Sequence, residues 1–446
     1  MSTGRTNLGK VGYTGASAYF HNAHRDLFAP RQWSAIAAHI AEWFDISSDQ
    51  TSHSRGSQTV FQIDRRADRL GDINLYWTRA ALAQTTGADT QAYFADWEGC
   101  HSIDNVQFLY NSKVVFRITG EQIYEDMINE LEPNERAAWG ILSLGDKSVQ
   151  DRQDLAYAEQ TVWANLRVPW RKIDKFLPKY GIPNKLRVEV NWQTKARVLH
   201  EPRSGDNTGG GISSPTLRCE FQHIGERHRD KVFDDVHSNK GYMIKFRDTE
   251  SHLREAVTTT ASSATGNNRT FSLRLTNLRN ACYVLSAKLR YQHSVDNTTL
   301  LDPSQELPIV SMTMKDNGTD ITKPAVGLPC ASFESTTSYN LYKENIEAYP
   351  DAQPGRPIPR FFFCPPRFTM DSENNCYGSR DFYKYNNPTL DIVYQEDLHF
   401  HDPYPVPVQT PAASLPSTPY PMYVDVVSYI HNILIVHKGD VRKYLL

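Results

Sequence analysis

Two imidazoles stand one residue apart in His399-Phe400-His401. On a strand, where alternate side chains share a face, both rings could reach one metal ion. A zinc site needs three or four ligands. No further ligand stands out beside this pair, and His21 and His24 are in the same position. In His223-Ile224-Gly225-Glu226-Arg227-His228 the spacing is wrong for two rings on one helical face, and HExxH is absent. GxxxxGK[ST] is also absent, so no P-loop cradles a phosphate, and without GxSxG there is no nucleophile elbow. EF-hand spacing does not occur. Scattered Asp and Glu residues could serve a β-sandwich glycosidase, but sequence alone does not set two carboxylates at working distance. The sequons Asn268-Arg269-Thr270 and Asn297-Thr298-Thr299 matter only in a secreted protein. The start, MSTGRTNLGKVGYTG, lacks the apolar core of a secretory signal, so both are read as loop residues. No catalytic, cofactor-binding or metal-binding residue is assigned, and the expectation is a protein without enzymatic activity.

The elements that would carry any site come from a chain of 446 residues, enough for two or three domains. Hydrophobic residues make up 39% and charged residues 22%, which excludes wholesale disorder. The abundance of Tyr and Phe, with 25 Pro and 24 Gly, favours strands joined by many turns. Lys and Arg number 48 against 51 Asp and Glu, a net charge of −3, so the basic footprint of a nucleic-acid coat is missing. No run of 18 apolar residues is long enough to span a membrane as a helix. The six cysteines include no CxxC pair, and all six are expected to be reduced and mostly buried.

Residues 1–30 are small and polar and read as an extended arm. Trp33, Ile36, Ala37, Ile40, Trp43 and Phe44 fall on one helical stripe behind Pro30, which predicts an amphipathic helix packed on a sheet or a neighbouring subunit. From residue 58 the period becomes two. Val60–Ile63 and Gly71–Trp77 read as strands, as do Ile103–Tyr110 and Lys113–Arg117, with Asn111-Ser112 as the hairpin turn between the last two. Gly120-Glu121 opens a helix with Ile123, Met127 and Leu131 on one face. Residues 132–160 read as a long surface loop with helical pieces. Leu186, Val188, Val190 and Trp192 alternate inward on a strand. Asn207–Pro215, rich in Gly and Ser, reads as a flexible loop ahead of a Leu217–Phe221 strand.

Alternation returns at Tyr242–Phe246, at Phe271, Leu273 and Leu275, and at Tyr283–Tyr291. It recurs at Arg360–Cys364, Leu390–Tyr394 and Tyr423–Val436. Seven prolines between Pro403 and Pro421 exclude a central strand there and predict an extended surface crossing. No period of 20–50 residues repeats, so two successive strand-rich halves of roughly 200 residues remain.

Several segments, in order, resemble the double jelly-roll major capsid proteins of icosahedral DNA viruses, most closely the nucleocytoplasmic large DNA virus and polinton-like branch. Ile63–Leu75, IDRRADRLGDINL, resembles the family's early strand pair. Cys100-His101-Ser102-Ile103, Val106, Thr119-Gly120-Glu121 and Asn129-Glu130-Leu131 resemble the next block, in which a strand leads into a helix. Leu166–Trp192 resembles the following one. So do Pro359–Phe363 with Tyr377–Phe382 and Asn387–Ile392, and the final Val427–Val436 strand. The family's Gly-Gly hairpin is Asn111-Ser112 here, and its P-S-G is Cys376-Tyr377-Gly378-Ser379.

The resemblance implies an all-β-dominated fold of two tandem eight-stranded antiparallel jelly rolls with short helices in loops. Residues 1–54 would form an arm and amphipathic helix, 55–238 the first roll and 239–446 the second. It also implies a major capsid protein, made in the host cytoplasm and resident in the virion. Three copies would make a pseudo-hexameric capsomer that tiles an icosahedral shell. The expected partners are further copies, minor capsid and penton proteins and an internal membrane beneath the shell, with no sequence-specific nucleic acid. The rival readings are a minor capsid or spike jelly-roll protein and a carbohydrate-binding β-sandwich protein or enzyme.

Overall fold

The computed structural model describes residues 39–83, 92–131, 133–171, 176–179, 182, 184–200, 208–257, 268–275, 278, 281–291, 309–320, 360–362, 380–395 and 422–445. The histidine pairs at 21/24 and 399/401, Asn297, the 403–421 proline segment and Cys330, Cys364 and Cys376 lie outside these residues.

Among the described residues, eight main strands build the first half: β1 (His39–Ser47), β2 (Gln58–Ile63), β3 (Arg69–Arg79), β4 (Ile103–Tyr110), β5 (Lys113–Thr119), β6 (Gln160–Asn165), β7 (Leu186–Trp192) and β8 (Ile212–Ile224). They pair antiparallel as β1-β8-β3-β6 in one sheet and β2-β7-β4-β5 in the other. The second half has β9 (Tyr242–Val257), β10 (Asn268–Arg274), β11 (Ala281–Tyr291), β12 (Ile309–Asp316), β13 (Thr319–Asp320), β14 (Arg360–Phe362), β15 (Pro388–Gln395) and β16 (Met422–His437). Their order is β9-β16-β11-β14 and β10-β15-β12-β13. Strand for strand, this is the same permutation. The chain is therefore two jelly rolls in tandem, each built on two sheets of four main strands, with short strands added to one sheet of each.

Local sequence accounts for much of this. Asn111 and Ser112 both have positive φ, 50° and 63°, as a two-residue turn between right-twisted strands requires. Asn317-Gly318 (49° and 79°) closes β12 onto β13, and Lys438-Gly439 (48° and 82°) closes β16 onto the short strand Asp440–Leu445 in the same way. On β7, Leu186, Val188, Val190 and Trp192 are all buried, as the alternation predicts. Trp192 meets Trp77 of β3 edge to face, 4.9 Å between ring centres, and donates its indole N–H to Thr59 Oγ1 at 2.8 Å. That stack ties the two sheets of the first roll together.

Helix α1 (Gly120–Glu130) starts on a reciprocal cap. The Gln122 amide N–H donates to Thr119 Oγ1, and Gln122 Oε1 accepts from the Thr119 N–H at 2.9 Å. A Cβ on Gly120 would lie 2.1 Å from the Ile103 carbonyl oxygen, so only glycine lets the helix start against β4. The helical pieces expected within 132–160 are two helices, α2 (Pro133–Leu142) and α3 (Val149–Ala156).

Two expectations are corrected. The amphipathic helix predicted over Trp33–Phe44 is not formed at its described end. His39–Ser47 is strand β1, paired residue for residue with Thr216–Ile224 of β8. This sets part of the presumed 1–54 arm inside the first roll. The apolar residues of this stretch suit a strand as well as a helix, and the thirteen-residue β8 offers a nine-residue ladder that a helix cannot use. The glycine-rich stretch is not a free loop either. Thr208-Gly209 pairs with Leu82-Ala83, and β8 begins at Ile212. Gly209 sits at φ 92°, where an added Cβ would be 2.3 Å from the Ala81 carbonyl oxygen.

Cys100, Cys219 and Cys282 are buried thiols, and burial pushes the first two far above the ordinary cysteine range. Lys179 is fully buried as well, its ammonium 3.4 Å from the Ile63 carbonyl oxygen. Desolvation pulls its pKa down to about 8. Unfolding restores a value of about 10.4. Between these two values the unfolded chain binds more proton, so stability rises with pH across that window, by roughly 3 kcal/mol from this group. Lys179→Met removes the cost and is expected to raise the urea midpoint at pH 7, with the gain shrinking to nothing only above about pH 11, past the unfolded pKa. Parallel pH profiles for the two proteins would show that this ammonium is not desolvated.

Candidate functional site: the junction between the rolls

Strands β9 and β16 run sixteen residues each and serve both halves. At one end, Val424 and Val426 join Leu273, Leu285, Met312 and Leu390 in the core of the second roll. At the other, Ile244, Phe246, Leu434, Val436 and Val441 share one continuous core with the first roll. Phe246 meets Phe116 of β5 edge to face at 5.9 Å. The two rolls therefore share buried apolar surface, which resists hinge motion.

Polar contacts cross the same boundary. The Tyr110 hydroxyl donates to the Gly439 carbonyl oxygen at 2.6 Å, and Gln122 Nε2 donates to Thr249 Oγ1 at 3.0 Å. Lys288, buried on β11, donates to Glu121 Oε2 of α1 at 3.0 Å and lies over the Tyr124 ring. His101 Nδ1 is 3.9 Å from the other Glu121 oxygen. Behind them, Asp248 takes the Asn432 amide at 2.5 Å and the Lys443 ammonium. Each contact pairs a group that the apolar junction would otherwise leave dry. Helix α4 (Glu226–His237) connects the rolls and buries Val232 and Val236.

A second polar cluster lies within the first roll. Glu98 accepts from Arg55 Nη2 at 3.0 Å, and Arg79 Nε is 3.0 Å from its other oxygen, with all three side chains buried. Arg79 also donates to the Leu155 and Ala156 carbonyl oxygens at 2.7 and 3.1 Å, and both guanidinium groups cover the Phe94 ring. Two cations on one carboxylate, each with further partners, make a structural lock.

The sequence candidates gather nowhere. His223 lies at the end of β8, 3.6 Å from Glu42 of β1, and His228 falls on α4. Asn268 begins β10. Among the described residues no three His, Cys, Asp or Glu side chains converge to hold a metal, and no helix is long and apolar enough to cross a membrane. Sequence reasoning missed both the junction and the Glu98 cluster, because their members lie tens to hundreds of residues apart with no fixed spacing.

No family model matches the sequence, and no curated protein does. Solved structures do. PBCV-1 VP54, fitted into a reconstruction of the virophage Sputnik, is 11% identical, with 94% of this chain and 100% of that one aligned at a TM-score of 0.64. The Faustovirus major capsid protein is 8% identical over 92% and 93% of the two chains, with a TM-score of 0.56. A chain of the Sputnik virophage is 10% identical over 94% and 91%, with a TM-score of 0.54. The likeness runs through both halves, and the chain has the double jelly-roll fold of these capsid proteins.

Proposed function

We propose that this chain is the major capsid protein of an icosahedral DNA virus, a structural component of the virion without enzymatic activity. The observation that carries the reading is the repeated strand order, β1-β8-β3-β6 with β2-β7-β4-β5 and then β9-β16-β11-β14 with β10-β15-β12-β13. Two lobes of one topology, fixed by a shared core, make a subunit whose halves are near-equivalent and do not hinge. Three such subunits around a threefold axis present six lobes, a near-hexagonal tile that covers a closed lattice. A net charge of −3 supports close packing of many copies without strong self-repulsion. Strand β1 supports contacts between copies, since among the described residues it is the outermost strand of its sheet and carries Ile40 65% and Trp43 44% exposed.

The division between rolls falls at 238/239 in this proposal, between the end of α4 and the start of β9. Minor capsid and penton proteins, and a membrane beneath the shell, are the further partners. Light scattering behind gel filtration is expected to give three times the chain mass, because capsomer contacts of this kind are large and permanent. A stable monomer at micromolar concentration would overturn the assembly reading. Copy number per particle separates the major shell protein from a minor one.

A further inference from the structure

The connection between β1 and β2 carries a chain of hydrogen bonds from the surface into the core. The Trp192 indole N–H donates to Thr59 Oγ1 at 2.8 Å. Thr59 Oγ1 is 3.2 Å from His53 Nδ1, and His53 Nε2 is 3.1 Å from Ser48 Oγ. Ser48 in turn donates to the Gln50 carbonyl oxygen at 2.9 Å. One arrangement of protons gives every donor in this chain an acceptor. The Thr59 hydroxyl donates to Nδ1, so the neutral ring carries its proton on Nε2 and donates it to Ser48. Thr59 has no exposed surface, and among the described residues its hydroxyl bonds to His53 and Trp192.

A second proton on His53 breaks this order. Nδ1–H then points at Thr59 Oγ1, which already accepts the indole N–H. The Thr59 hydrogen is left in the core without an acceptor, and that opposes charging of the ring. Burial also pulls His53 below the ordinary histidine range, with the Gln50 backbone opposing that shift. The charges on the surrounding elements are engaged by other groups. Asp49 accepts from Gln62, and Arg55 lies on Glu98. Glu189 of β7 takes Gln58 and Arg187, and Asp104 of β4 takes Asn105 and Gln193. The unfolded chain binds the proton at the ordinary value of 6.5 while the folded ring resists it, so stability falls as pH drops through that value.

We propose that Ser48, His53, Thr59 and Trp192 form an acid-sensitive latch, in which charging of His53 loosens the β1–β2 connection from the Trp77–Trp192 stack that ties the two sheets of the first roll. The latch is independent of the capsid reading, because its test follows emission and melting and not assembly. The tryptophan emission of the purified full chain is titrated from pH 8 to 5 at a temperature where it stays folded. The wild type must show one reversible one-proton step below pH 6.5. His53→Gln keeps an acceptor and a donor without titrating, and it must remove the step. Trp192→Phe must remove it as well. Melting gives the second readout. One stranded buried donor weakens folding about tenfold, so Tm between pH 7.5 and 5.5 must fall by about 3 °C more in the wild type than in His53→Gln. Thr59→Ser keeps the hydroxyl and must retain this extra loss, as must His223→Gln at a half-exposed histidine of β8. A wild-type emission that does not titrate overturns the latch, and this outcome needs no variant to fold. Equal acid sensitivity in wild type and His53→Gln overturns it too.

Discussion

Val188→Asp is expected to abolish soluble protein. Val188 has no exposed surface, and its neighbours across the sheet are Phe61 of β2 and Phe108 of β4, both also buried. A carboxylate there has no partner and either ionises in an apolar core or folds protonated and unsatisfied. Together with the lost valine packing the cost exceeds about 4 kcal/mol, a large share of the stability of a domain. The adjacent Arg187 points to the other face and is half exposed, so Arg187→Gln should change the unfolding free energy by no more than about 0.5 kcal/mol. The pair isolates the period of two, since one position separates collapse from neutrality. Expression followed by gel filtration decides it, and a Val188→Asp protein that assembles as wild type would place this strand's other face in the core.

Glu98→Gln is the second large effect. The substitution keeps shape and some hydrogen bonding but leaves Arg55 and Arg79 buried without a counter-charge. Breaking a buried pair by removing one partner typically costs about 3–5 kcal/mol, because the stranded charge keeps its desolvation penalty. Burial already pulls the Arg55 pKa below its ordinary value, with Glu98 opposing that shift. The comparison is Glu189→Gln, whose partner Arg187 is half solvated and whose loss should cost less than about 1 kcal/mol. Urea unfolding of both variants gives the difference. A Glu98→Gln protein no less stable than Glu189→Gln would mean that water reaches the cluster. Combining Glu98→Gln with Arg79→Met should recover part of the loss, since one of the two stranded cations goes with it.

These two positions differ in how far the sequence announces them. Val188 belongs to a local pattern. Alternating apolar residues on β7, the Asn111-Ser112 turn and the Thr119/Gln122 cap act over two to seven residues, so spacing along the chain reports them directly. Such local signals show two strand-rich halves before any coordinates, and the resemblance to the capsid family implies that each half is a jelly roll. The Glu98 cluster has no such signature. Arg55, Arg79 and Glu98 are charged residues of ordinary appearance, and a solvated surface was the natural expectation for each. Only the folding of Arg55 and the β3 terminus over Phe94 brings them together out of water.

The same division runs through the whole chain. Period and turn chemistry by themselves marked strands such as β2, β4, β5 and β7, the Asn111-Ser112 hairpin and the helix that follows β5. Partner choice was decided only in three dimensions. The stripe from Trp33 to Phe44 fits a helix by spacing, yet its described end became β1, because the edge of β8 offered a ladder of hydrogen bonds that no local signal reveals. Lys179 became a buried cation because its neighbours in space, the carbonyl of Ile63 and the thiol of Cys219, come from remote strands. The junction of β9 and β16 with the first roll followed from the same cause. Side-chain period is a property of neighbouring residues, whereas burial and strand pairing depend on the free energy of contacts between segments up to hundreds of residues apart.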